Sequence, residues 1–328
     1  MSANRRIFDI TERIIYLRSI PVAAALPPAV LHVLAGYMRE RSFAVGHELL
    51  REGDPIESLI LFTEGGVRLT RQGKAVGELV APQTLGFLGI LARGDSPYDA
   101  RIEKETRALE LRADALLEVM EDHFDFFAAS IRYVAERLLQ EVQELPEAAL
   151  NLPFQDEPMP LEEELDLVER IFFLRKIGAF SNANVNALAV VANQVVERRF
   201  GPGELLWRAG DPSVHSLMIV SGTVACASAG RTKRFRYGPG TIVGGVEGLA
   251  GQPHWYDVVT ETPVLALEAH SDKLLDLFEE NYAMAMDFMA ALAGYLQHII
   301  NQKLAQGVTG VVAVPRDVSS LGAVPVGA

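Results

Sequence analysis

The sequence predicts an α+β protein of two tandem antiparallel β-roll (jelly-roll) domains, each flanked by N-terminal helices and a long C-terminal helix. Three observations carry that expectation. The chain repeats itself: Glu12-Arg13-Ile14-Ile15-Tyr16-Leu17-Arg18-Ser19-Ile20 returns as Glu169-Arg170-Ile171-Phe172-Phe173-Leu174-Arg175-Lys176-Ile177, an offset of 157. Within each copy, helical periodicity gives way to short apolar runs cut by Gly and Pro, which is how antiparallel strands and their turns read. Each copy then closes on a long amphipathic stretch.

The register of the repeat sets the domain boundaries. Glu40-Arg41-Ser42-Phe43 returns as Glu197-Arg198-Arg199-Phe200, and Arg51-Glu52-Gly53-Asp54-Pro55 as Arg208-Ala209-Gly210-Asp211-Pro212. One inserted residue later the offset is 158. Tyr98-Asp99 then matches Tyr256-Asp257, and Asp114-Ala115-Leu116-Leu117 matches Asp272-Lys273-Leu274-Leu275. A register held over that distance is a duplicated domain of ordinary size. Domain one is read as 8–145, an acidic, Pro-rich linker as 146–161, domain two as 162–306, and a disordered tail as 307–328.

The elements follow in order. Ile10, Ile14, Leu17 and Ile20 fall on one helical face, which Pro21 ends. Pro28 to Met38 reads as a second amphipathic helix. From Phe43 to about Leu111, runs such as Leu59-Ile60-Leu61-Phe62 before Glu64-Gly65-Gly66 read as strands. Asp114 is a good N-cap and opens a helical stretch to about Leu145. Copy two repeats the plan, with helices from 162, strands from Phe200 to Leu267 and a helix from Asp272 to about Leu304. Between the copies, Leu145 to Glu164 holds four prolines and six acidic residues without a period, and reads as extended and solvated.

Composition bounds the function. The chain is 49% hydrophobic, enough for each copy to bury a core, and the single Cys226 forbids an intrachain disulfide. That usage fits a reducing, cytoplasmic setting. No 7–15-residue apolar run follows Arg5-Arg6, so no signal peptide is read, and no uninterrupted apolar stretch is of bilayer length. With 43 acidic against 30 basic side chains, the formal charge of −13 disfavours nucleic acid as a partner.

The order helix, β-roll with a Gly-Asp turn, Gly-containing cassette, long helix resembles the cyclic-nucleotide-binding domain family. The residues that carry the resemblance are Phe43-Ala44-Val45-Gly46, Arg51-Glu52-Gly53-Asp54 and Glu64-Gly65-Gly66-Val67. In copy two they are Phe200-Gly201-Pro202-Gly203, Arg208-Ala209-Gly210-Asp211, Ser221-Gly222-Thr223-Val224 and Pro239-Gly240-Thr241-Ile242-Val243-Gly244. The family includes the catabolite activator protein and the regulatory subunit of cAMP-dependent protein kinase, which also carries two copies.

The resemblance implies a phosphate cassette, and this chain departs from it. The family reads Phe-Gly-Glu-Leu-Ala, then Pro-Arg-Ala-Ala after a loop; the glutamate accepts from the ribose hydroxyl and the arginine pairs with the cyclic phosphate. Here the first cassette is Leu85-Gly86-Phe87-Leu88-Gly89 and the second is Val243-Gly244-Gly245-Val246-Glu247. Phe87 and Gly245 stand where the glutamate belongs. The arginine position falls within Ser96-Pro97-Tyr98 or His254-Trp255-Tyr256. A charge-assisted bond of about 1.5–3 kcal/mol is lost with that arginine, so cyclic nucleotide as a cofactor is not favoured. If one binds, Arg93 or Arg101 is the expected phosphate partner.

Tyr98-Asp99 and Tyr256-Asp257 stand at equivalent places beside the altered pocket. One reading is a changed site for a neutral or cationic ligand, with Asp as acceptor and Tyr as wall. The other, preferred, is a Tyr that fills the vacated phosphate position and an Asp that caps a turn. Phe87 reads as a plug. No clustered His and Glu ligands indicate a metal, and no nucleophile–base spacing indicates a catalyst. Only 24 residues follow Leu304 (to Ala328), too few for an appended helix-turn-helix.

The expectation is a non-enzymatic, cytoplasmic regulatory or scaffold protein that docks an unidentified protein partner. It uses neither nucleic acid nor membrane insertion. The alternative is a sensor that binds a cyclic nucleotide or related metabolite in a non-standard pose. The long helices carry matching stripes, Ile131, Ala135, Leu138 and Val142 in the first, and Met289, Ala293, Leu296 and Ile300 in the second. They read as a seam that pairs the copies within one monomer of pseudo-twofold symmetry, with a homodimer through the same stripes as the alternative.

Overall fold

The computed structural model describes residues 8–151, 154, 164–306 and 308. Copy one contains α1 (Ile10–Arg18), α2 (Pro21–Ala24), α3 (Pro28–Tyr37), β1 (Arg39–Phe43), β2 (Glu48–Leu50), β3 (Ser58–Glu64), β4 (Gly66–Arg71), β5 (Lys74–Val80), β6 (Thr84–Leu85), α4 (Phe87–Ala92), β7 (Asp99–Ile102), β8 (Thr106–Arg112), α5 (Ala113–Asp122) and α6 (Phe124–Glu144). A short α7 (Glu147–Leu150) follows. Copy two contains α8 (Leu167–Lys176), α9 (Val185–Gln194), β9 (Val196–Phe200), β10 (Leu205–Trp207), β11 (His215–Ser221), β12 (Val224–Ser228), β13 (Arg234–Tyr237), β14 (Ile242–Val243), α10 (Gly245–Ala250), β15 (Tyr256–Thr260), β16 (Val264–His270), α11 (Ser271–Glu280) and α12 (Tyr282–Ala305).

Each copy forms two four-stranded antiparallel sheets of the same order. They are β1-β8-β3-β6 with β2-β7-β4-β5, and β9-β16-β11-β14 with β10-β15-β12-β13. The alternation of strand residues puts Leu61, Leu69, Leu79 and Leu109 in the core of copy one, and Ile219, Val224, Val258 and Leu267 in that of copy two. The α+β double β-roll expected from the sequence is the fold observed.

The best-repeated sequence has a structural reason. Asp9 and Glu12 form a capping box at α1, and Asp166 and Glu169 form the same box at α8. Arg13 then donates to the carbonyls of Phe8, Ala35 and Met38; Arg170 donates to those of Leu165, Ala192 and Val195. Glu40 accepts from Phe8 N and pairs with Arg13, while Glu197 accepts from Leu165 N and pairs with Arg170. One arginine thus ties the end of one helix to the start of the next strand, and one glutamate holds that arginine. These charge-assisted bonds satisfy helix-terminal carbonyls that would otherwise lack partners.

Three sequence expectations are corrected. The long C-terminal helix of each copy is broken in two, at His123 (φ −131°) and at Asn281 (φ −134°). Neither break involves Gly or Pro, so no punctuation marks it. Asp114 is a first-turn residue paired with Arg112; the N-cap is Arg112 itself. The described start of the linker is not extended, although Pro146 to Ala149 are exposed as expected. Glu147–Leu150 is helical, Leu145 and Leu150 are buried, and Glu147 Oε2 and Asn151 Oδ1 accept from the N–H groups of Arg234 and Arg236. Those donors belong to β13, an edge strand, and covering them removes a free pairing edge.

α12, with 24 residues and a window of mean hydropathy 1.2, is long and apolar enough to span a membrane, but half of that window is buried inside the fold. The tail expected at 307–328 lies outside the described residues except for Val308.

By packing, the chain divides into a unit of 1–129 with 297–328 and a unit of 130–296. These are not the repeat copies. The first unit includes the end of α12, where Gln297 donates to Asp95 O (3.2 Å) and Asn301 O accepts from Arg71 (3.1 Å). The second includes most of α6, where Lys233 donates to the carbonyls of Gln143 and Leu145 at the helix end.

Candidate functional site

In both copies a glycine in the left-handed region opens the cassette helix. Gly86 (φ 101°) precedes α4, and Gly244 (φ 80°) precedes α10. A Cβ on Gly86 would meet Ser58 O at 2.5 Å, and one on Gly244 would meet His254 Cε1 at 2.9 Å. Both turns therefore require glycine for space as well as for φ.

The loop after each cassette is fastened to the Gly-Asp turn in the same way. Asp99 Oδ1 accepts from Glu52 N (2.9 Å) and Asp257 Oδ1 from Ala209 N (2.8 Å). Gly53 N donates to Ser96 O, and Gly210 N to His254 O. Both aspartates thus hold a turn. Tyr98 and Tyr256 lie buried beside them. The Tyr256 hydroxyl accepts from Gly244 N (3.2 Å), the first N–H of the cassette turn, and bonds the Glu247 carboxylate.

The residues beside this shared frame differ, and so do the voids. In copy one, Phe87 is half-buried between the roll and the helices. With Leu17, Ile20, Leu59, Leu116 and Phe126 it leaves only about 30 Å³. In copy two the equivalents of Phe87 and Leu59 are Gly245 and Ser216, and the corresponding place is a cavity of about 520 Å³. Gly244, Gly245 and Val246 line it from the cassette, Leu138 and Val142 from α6, Leu277 from α11, and Phe288 and Tyr295 from α12. Leu88 is half-buried in α4.

Glu247 is the one acidic residue among the lining residues, and it is 3% exposed. Burial raises its carboxyl to about 7, against the opposing hydrogen bonds from its own backbone N–H, Tyr256 and Trp255. Its equivalent in copy one is Gly89, where a Cβ would stand 2.2 Å from Ile56 Cδ1. Tyr237 and Cys226, near the same carboxyl, are raised by burial first. Lys273 and His270, at the cavity's α11 side, are exposed.

A second contrast runs the other way. In copy one a cleft of about 400 Å³ opens beside β1, β3 and the β2 turn, lined by Arg41, His47, Asp54, Glu57 and Glu110 among others. In copy two Trp207 occupies the corresponding strand, stacked on His254 at 4.2 Å. Burial lowers His254 to about 4, and electrostatic coupling to His215 adds to the shift.

Arg101 is exposed on strand β7, where its Nε donates to Gly46 O (3.3 Å); Arg93 is the exposed, left-handed C-cap of α4. Of the helix stripes, Ile131, Ala135, Leu138, Met289, Ala293 and Leu296 are buried in the second unit, and Val142 is half-buried there. Ile300 is buried in the first. The sequence reading did not place Ser216, Tyr237, Tyr295 or Trp207 at a site. The Gly245/Phe87 size difference was the visible signal, and its consequence depends on helices distant in sequence.

This double-roll architecture, with a glycine-opened cassette helix in each copy, defines a tandem ligand-binding-type regulatory fold. The chain belongs to the cyclic nucleotide-binding domain family, whose model matches residues 40–123 and 197–281. No curated protein matches it. Among solved structures it is similar to the regulatory domain of Toxoplasma gondii PKA in co-crystals with cAMP, at 16% identity, 90% of this chain, 97% of that one and TM-score 0.34. It is also similar to the regulatory subunit of a cAMP-independent protein kinase A from Trypanosoma brucei (18%, 93%, 97%, 0.35). The Trypanosoma cruzi counterpart bound to guanosine is a third (16%, 96%, 99%, 0.35).

Proposed function

We propose that this protein is a non-catalytic regulator in which copy two reads a largely apolar small molecule and copy one is closed at the equivalent place. The observation that carries the reading is the cavity of about 520 Å³ in copy two, against about 30 Å³ at the equivalent place in copy one. A void of that size suits a small organic ligand. Elements α6, α11 and α12 contribute to its wall, so an occupant bears directly on the helices. The Tyr256 hydroxyl on Gly244 N argues against a cyclic phosphate in the family's position. The lone buried Cys226 accords with a reducing cytoplasm.

Thermal melting of the chain against cyclic mono- and dinucleotides and a library of apolar small molecules tests the reading. A ligand at 100 times its dissociation constant adds about 2.7 kcal/mol. Stabilisation of the wild type that disappears in Gly245→Phe supports it; no shift across the whole panel overturns it.

A docking role is the second reading, favoured by one feature. Val168 and Phe172 of α8 are 57% and 66% exposed, and Ile15, the equivalent of Phe172 in copy one, is 64% exposed. Apolar side chains repeated on the surface of both copies suit a protein partner. Phe172→Glu with Ile15→Glu should abolish such a complex and leave the melting temperature unchanged.

A further inference from the structure

We propose that the copy-two cavity takes an organic amine, its apolar body among Leu138, Ile177, Phe180, Leu277 and Phe288 and its cationic nitrogen against the Glu247 carboxylate. The proposal rests on the reading of this cavity as a ligand site. Three features of the lining support the choice of class.

Among the described residues, Glu247 is the single carboxylate in the wall, and its hydrogen-bond donors, its own backbone N–H, the Tyr256 hydroxyl and the Trp255 indole, are all neutral. A carboxylate has about four lone-pair positions, so three such donors leave it able to accept about one more. Among the described lining residues no buried base answers its charge. Lys273 and His270 are exposed, and Lys273 lies 3.8 Å from Asp276. A ligand cation supplies the missing counter-charge, which a neutral or anionic ligand does not.

The second feature is the aromatic wall. Trp255, Tyr237, Tyr295, Phe180 and Phe288 all line the cavity. Aromatic faces around a single acid favour a cation, because the ring quadrupole attracts positive charge. The third is an internal control. Copy one replaces Glu247 by Gly89 and fills the space with Phe87, so the acid and the room for a ligand occur in the same copy.

The test compares three molecules with one skeleton: phenylbutylamine, phenylbutanol and phenylbutyrate. Each is titrated into the full chain at pH 8, with Trp fluorescence and calorimetry as readouts. The amine is expected to bind about tenfold or more tighter than the alcohol, and the carboxylate most weakly. Glu247→Gln should bring the amine down to the level of the alcohol and leave the alcohol unchanged. Gly245→Phe should abolish all three. Thermal melting establishes that Glu247→Gln folds; if it does not, Glu247→Leu makes the same comparison.

Alcohol binding that is equal to or tighter than that of the amine overturns the amine assignment. So does an amine preference that survives in Glu247→Gln. In either case, loss of the alcohol in Gly245→Phe leaves the cavity reading standing. Failure of all three probes to bind the wild type overturns the amine assignment, and the apolar library described above then decides the cavity reading separately.

Discussion

Tyr256 accepts the backbone N–H of Gly244 at 3.2 Å and bonds the Glu247 carboxylate with the same hydroxyl. A phenol therefore takes up the N–H at the start of the cassette turn, and an acid stands behind it. An incoming phosphate would have to displace the first and repel the second. Neither cassette supplies an arginine in return, since the exposed Arg101 side chain holds Gly46 O.

Cyclic AMP and cyclic GMP are accordingly expected to bind no tighter than about 100 μM, a standard free energy weaker than about −5.5 kcal/mol. Titration calorimetry checks this, and a low-micromolar constant contradicts it. Tyr256→Phe should cost about 1–3 kcal/mol of stability in urea unfolding, because it leaves Gly244 N and Glu247 without that partner.

Gly245 and Gly244 should respond oppositely to larger side chains. A Cβ on Gly245 comes closest to Ile242 Cγ2 at 2.9 Å, the end of a side chain beside an open cavity, and its next neighbour is Ser216 Cβ at 3.7 Å. Gly245→Phe should therefore be tolerated within about 1.5 kcal/mol and may be compared directly with the packing of Phe87. Gly244→Ala adds strain at φ 80° and a clash with the buried His254, and should cost more than about 1 kcal/mol. Chemical denaturation of the two variants separates the outcomes.

Glu247 and His254 should oppose each other as pH changes. Glu247 is raised from 4.5 to about 7, so the native state holds its proton where the unfolded chain does not, and stability falls as pH rises through that window. His254 is lowered from 6.5 to about 4, so the unfolded chain binds the proton first, and stability falls as pH drops through that window. Each effect amounts to roughly 3 kcal/mol over its full range, at 1.36 kcal/mol per unit. Between about pH 4.5 and 6.5 they cancel. Relative to wild type, Glu247→Gln should become more acid-sensitive, and His254→Gln should gain stability as the pH falls. Melting curves across pH 4–8 read both, and parallel curves for all three proteins would contradict the assignment.

Leu138 and Leu296 are 1% and 2% exposed within the second unit. A charge at either should cost about 3 kcal/mol or more. If the two stripes form one intramolecular seam, the losses in Leu138→Asp with Leu296→Asp should be non-additive and light scattering should report a monomer in the wild type. Additive losses, or a wild-type dimer that either substitution dissociates, exclude that seam.

Much of this protein was legible in the chain itself. The 157-residue repeat, the Gly-Asp turns and the strand punctuation specify two β-rolls of one family, because local patterns of period two and of turn residues act over a few positions. The best-preserved part of the repeat, Glu12-Arg13 with Glu40 and Glu169-Arg170 with Glu197, proves to be a helix-to-strand clamp. The departures at Phe87 and Gly245 were visible too. The tertiary structure alone decided what they mean. The cavity is bounded by α6 and the start of the linker and, more than a hundred residues later, by α12, and its charge comes from a glutamate hydrogen-bonded by Tyr256 and Trp255. A side chain's size is written in the sequence; whether its absence leaves a void depends on which distant helices close over it.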